Sequence, residues 1–79
     1  MNPLQRKLLA YFKDKFYPLN PLLLCETLGE EPYILRRNVP HLVQQGFLEP
    51  QGYQTRINRM LPLYRITEKG RKTILMERE

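Results

Sequence analysis

The sequence predicts a small, mainly helical α+β domain: three helices, a β-hairpin and a closing helix, all within residues 1 to 79. Three observations carry that prediction. Apolar residues recur at helical spacing through the first half, the period shortens to strand-like alternation after Gly46, and a helix start returns at Thr67, straight after the alternating stretch from Tyr64 to Ile66. At this length a single core only just outweighs chain entropy, so a second domain or a large substrate cavity is not expected.

The first helix is predicted over residues 3 to 16. Asn2 followed by Pro3 has the form of an N-cap and a first helical residue, and Leu4, Leu8, Tyr11 and Phe12 follow at helical spacing, flanked by Leu9 and Phe16. At about 100° per residue these positions span roughly 160° of the helix surface, more than a small core demands, so part of this face is expected to meet a second subunit. Asn20 and Pro21 repeat the same start, and Leu22, Leu23, Leu24, Cys25 and Leu28 give a short apolar helix over residues 21 to 28 that Gly29 can end. Glu30, Glu31 and Pro32 suit the positive end of a third helix, whose apolar face is Leu35, Val39, Leu42 and Val43 up to Gly46. The connection between the second and third helices is so short that they must cross steeply, which makes residues 21 to 45 a helix-turn-helix. Pro40 removes a backbone hydrogen bond near mid-helix and is expected to kink the helix or shorten its regular part.

Beyond Gly46, "FLEP" and "LPLYRIT" read as short strands around the polar stretch "QGYQTRINRM", which predicts an antiparallel hairpin with a long loop over residues 47 to 67. Pro50 and Pro62 belong at strand ends, irregular pairing or edges. Thr67 caps a closing helix over residues 68 to 78, with Ile74 and Leu75 inward and Lys69, Arg71, Lys72 and Arg78 outward. Gly70 in its first turn costs roughly 1 kcal/mol of helix propensity relative to Ala, a cost that close backbone packing would explain.

Charge is unevenly distributed. The formal net charge is +5, yet residues 1 to 31 are neutral and residues 32 to 72 carry Arg36, Arg37, Arg56, Arg59, Arg65, Lys69, Arg71 and Lys72 against only Glu49 and Glu68. A local basic surface of this kind attracts polyanions and points to nucleic acid or an acidic protein face. Catalysis finds little support: Cys25 sits among leucines without a nearby His, His41 stands alone, and no Gly-rich phosphate loop is present. No enzyme activity, metal or cofactor is therefore expected. No apolar run approaches the roughly 20 residues of a bilayer span, and the N-terminal stretch breaks its apolar segments with charge, so the expectation is a cytoplasmic protein with no membrane partner.

The stretch "YRITEKGRK" is similar to the returning wing strand and last-helix start of winged helix-turn-helix regulators of the MarR-like and PadR-like groups, with Tyr64, Ile66, Thr67 and Gly70 at the places of a Tyr-x-[IL]-Thr-x-x-Gly pattern. Upstream, "LCETLGEEPYILRRNVPHLVQQGFLE" resembles their Leu-Gly turn, recognition helix and following junction, here Leu42, Gly46, Phe47 and Leu48. The resemblance covers residues 20 to 72 and implies a winged helix-turn-helix that binds double-stranded DNA as a small, nucleoid-associated transcriptional regulator. On that reading Arg36 and Arg37 contact guanine edges or phosphates, Tyr33 a phosphate or sugar, and Gln44 is a peripheral donor. Tyr53, Arg56 and Arg59 belong to the wing, on the DNA backbone or in a minor groove, and Arg65 lies on the returning strand. One such module contacts few bases, so a homodimer through the first and last helices is expected. Two other readings keep the same fold with a different ligand: a module that docks an acidic protein, and an RNA-binding module, although no RNP-type strand or GxxG loop supports the latter.

Overall fold

A computed structural model describes residues 1 to 77, and the outward placement expected of Arg78 lies outside the described residues. Helix α1 runs from Pro3 to Phe12 behind a capping box, in which the Asn2 side chain accepts from the Gln5 backbone N–H at 2.7 Å and the Gln5 side chain accepts from the Asn2 N–H at 3.3 Å. It is four residues shorter than the pattern predicts. Lys13, Asp14 and Lys15 follow Phe12 with nothing to bury, and Phe16 is left 73% exposed.

The predicted second helix divides in two. Pro21–Leu24 is a 3-10 turn capped by Asn20, and only Cys25–Leu28 (α2) is α-helical, ending at Gly29 with φ +67°. A segment this short closes few α-helical hydrogen bonds, so its first turn tightens. Cys25 is half-buried against the rim of the core. Helix α3, Pro32–Gln44, continues through Pro40, which is exposed, so the expected shortening of its regular part does not occur. Its end is a glycine stop: Gly46 adopts φ +82°, and the Phe47 N–H reaches back to the Leu42 carbonyl at 2.9 Å.

The hairpin departs most from expectation. Leu48–Arg56 (β1) and Arg59–Ile66 (β2) pair antiparallel almost to their tips, so the expected long loop is a two-residue turn, Ile57 and Asn58, both with positive φ. Mirror-image turns of this kind match the twist of paired strands, which lets pairing run to the last residue. An extra residue in β1 between Pro50 and Tyr53 makes a bulge at Gly52, φ +85°. Leu19 pairs with Tyr64 through two backbone hydrogen bonds of 2.9 Å, so the Tyr64 amide and carbonyl point away from β1. Pro62, two residues earlier, and Pro50, opposite Tyr64, therefore lack only outward-facing donors, and the ladder between the strands loses nothing.

Helix α4, Glu68–Met76, begins at Thr67, whose hydroxyl donates to the Gly46 carbonyl and accepts from the Gly70 N–H at 2.9 Å. The fold is thus α+β, with helices around one end of a two-stranded antiparallel hairpin. Leu8, Leu9 and Phe12 from α1, Leu24 from the 3-10 turn, Leu35, Val39 and Leu42 from α3, and Leu48 and Ile66 from the hairpin base form the core. Each buried Leu contributes on the order of 2 kcal/mol. Polar contacts fix α1 against α3: the Asn38 side chain accepts from both Asn2 and Gln5, at 3.1 and 3.0 Å, while donating to the Ile34 carbonyl.

Candidate nucleic-acid interface

Burial on one side of α3 decides what the other side presents. Leu35, Val39 and Leu42 face the core, and Tyr33, Arg37, Pro40 and Gln44, at intervals of three and four, form an exposed stripe opposite them. Arg36 is also exposed but lies about 60° round the helix from that stripe, toward the hairpin. There it edges a cleft of about 270 Å³ between α3 and the hairpin base, with Asn20, Pro62 and Tyr64 on the far wall. Arg37 instead shares a depression with Ile34, Asn38 and His41, on the side of α3 near the start of α1. The two adjacent arginines therefore point to different flanks.

Asn20 ties the far wall together, and nothing in the sequence marks it beyond its capping role. Its buried side chain accepts from the Leu22 N–H at 2.8 Å and donates to the Pro62 carbonyl, which fixes the Pro21–Leu24 turn to β2. The hairpin projects from this base, with every residue from Glu49 to Met60 exposed. Arg56 and Arg59 are directly opposite one another at its end. Like charges in such a pair oppose folding by roughly 0.2–1 kcal/mol, so their juxtaposition is not there for stability. Tyr53 is 64% exposed lower on the hairpin, opposite Pro62, and Arg65 sits at the base across from Glu49. The structure thus separates Arg65 from the other two hairpin arginines and pairs it with a residue of opposite charge.

The cations of α4 have a different occupation. Lys69 donates to the Gln45 carbonyl at 2.9 Å and lies over the Phe47 ring, while Arg71 donates to the Lys13 carbonyl at 3.2 Å and lies over Phe16. Gln45 and Lys13 are the C-terminal caps of α3 and α1, where partial negative charge favours a cation. Arg71, expected to point outward, is half-buried for this reason. The remaining ion pair among the described residues joins Arg6 to Glu77 at 2.8 Å. Arg36, Arg37, Arg56, Arg59 and Arg65 have no carboxylate at salt-bridge distance among the described residues. Two groups of unneutralised positive charge thus remain, Arg36 with Arg37 on α3 and Arg56 with Arg59 at the hairpin tip.

No protein-family model and no curated protein matches the chain. In fold it is similar to the crystal structure of RV1404 from Mycobacterium tuberculosis, with a TM-score of 0.76 at 23% sequence identity, over 95% of this chain and 49% of that one. The chain spans about half the length of that protein.

Proposed function

We propose that the chain is a winged helix-turn-helix module that binds double-stranded DNA as a transcriptional regulator, with α3 as the recognition helix and the β1–β2 hairpin as the wing. The observation that carries this reading is the pair of unneutralised basic strips, Arg36 with Arg37 on α3 and Arg56 with Arg59 on the hairpin, held in fixed relation by the Asn20 tie. A helix about 10–12 Å across fits a major groove about 12 Å wide, and a projecting hairpin then meets the adjacent backbone. Arg37, on the stripe opposite the core, is the better placed of its pair to meet base edges; Arg36, toward the hairpin, suits a phosphate. Arg65, opposite Glu49, adds little.

Two copies on a two-fold site would supply the contacts that one module lacks. Most of the apolar face of α1 is used by the chain's own core, so Phe16, Leu75 and Met76, all more than half exposed, are the side chains of the α1 and α4 region left for that contact.

Fluorescence anisotropy of a labelled mixed-sequence duplex, across a salt series and against an RNA duplex of equal length, tests the proposal. Micromolar affinity for DNA that falls linearly with the logarithm of salt, and exceeds that for RNA, is expected. Absence of binding at low salt, or preference for RNA, would overturn it.

A further inference from the structure

One of the two residues at the very end of the hairpin is neither basic nor polar. Ile57 is 92% exposed, more than any other large apolar residue among those described, and Met60 beside it is 66% exposed. Its backbone is also in an unfavourable place: φ is +38°, in the left-handed region where a β-branched residue is an outlier and where Asn or Gly is the ordinary occupant. Neither hydration nor backbone conformation favours isoleucine here, and its side chain buries nothing within the chain. Arg56 immediately precedes it and Arg59 stands opposite Arg56, so Ile57 shares the tip with Asn58 and stands as an apolar side chain between two cations.

The ligand that takes such a point is one with negative charge on two sides and apolar surface between. A minor groove about 6 Å wide has that form, with phosphates along both rims and sugars and base edges within. Reach is consistent with it. The tip lies about five residues beyond the Gly52 bulge, roughly 17 Å at 3.4 Å per residue, which is about half a helical turn of DNA. Half a turn from where a helix enters the major groove, the duplex presents its minor groove to the same side.

Resting on the duplex-binding reading, we propose that Ile57 is an apolar wedge that enters the minor groove and partly unstacks one base step while Arg56 and Arg59 hold the phosphates on either side. Side chains that enter this way favour steps that unstack readily, above all pyrimidine–purine steps, over stiff A-tracts. The hairpin then contributes sequence preference through deformability as well as affinity through charge.

The test compares wild type with Ile57→Asn, a residue that suits the left-handed turn and so keeps the hairpin folded, with Ile57→Ala as a second variant. Two duplexes of equal length and charge serve as probes, one rich in TA steps and one built of A-tracts, each carrying end labels for energy transfer. Wild type is expected to bind the TA-rich duplex about tenfold more tightly and to bend it, as an increase in transfer. Both variants are expected to keep the salt slope, lose the preference and leave the duplex straight. Equal affinity for the two duplexes by wild type, or bending undiminished in both variants, overturns the wedge while leaving DNA binding intact. Failure of wild type to bind either duplex at low salt overturns the wedge and the duplex-binding reading together.

Discussion

The hairpin tip and the start of α4 are both basic, yet the structure uses their charges in opposite ways. At α4, Lys69 and Arg71 reach the backbone carbonyls that end α3 and α1 and lie over Phe47 and Phe16, so their cations close helices. At the tip, Arg56 and Arg59 face each other without an acid and can only work against the hairpin's own stability. The lesson is that a cluster of Lys and Arg in a sequence does not by itself locate a polyanion site. What separates the two cases is whether a carbonyl or carboxylate within the fold already occupies the cation.

The largest effect belongs to the α4 side. Gly70 lies so close to the Phe47 backbone that an added methyl would run into the Phe47 carbonyl oxygen. Gly70→Ala is therefore expected to destabilise the fold by about 1–3 kcal/mol, although Ala is the better helix former. Urea denaturation checks this, and a gain in stability would mean that the junction is looser than described. Asn20→Ala, which removes a cap and leaves the Pro62 carbonyl without its side-chain donor, is expected to cost about 1–2 kcal/mol. The smallest change in stability is expected at the tip, with the opposite sign. Arg56→Ala combined with Arg59→Ala should raise stability by a few tenths of a kcal/mol through lost repulsion, while lowering the salt slope of duplex binding by about 2. A slope unchanged by the double substitution would remove the hairpin from the interface.

Much of the helical framework was legible because its signals are local. Asn2–Pro3, Asn20–Pro21 and Thr67 each place a cap where the structure has one, and Gly29 and Gly46 each end a helix in the left-handed conformation. The end of α1 was not legible, because Phe16 continues the apolar spacing while the chain has already turned away. Nor was the hairpin's length. Gly52 and the polar residues around it have loop composition, and only the pairing register reveals a bulge there and a turn at Ile57 and Asn58. The candidate site followed the same division: exposure of Tyr33, Arg36, Arg37 and Gln44 follows from the period of α3, whereas the engagement of Lys69 and Arg71 depends on contacts with residues 24 and 58 positions away.

The most direct measurement of this division of labour is a pair of double variants, Arg36→Ala/Arg37→Ala and Lys69→Ala/Arg71→Ala, each carried through urea denaturation and duplex anisotropy. The first pair is expected to lose about 1–3 kcal/mol of binding free energy with stability unchanged. The second is expected to lose about 1–2 kcal/mol of stability while its folded fraction binds duplex as wild type does. Equal losses of affinity in both pairs, or loss confined to the α4 pair, would contradict the assignment of α3 as the DNA-facing element.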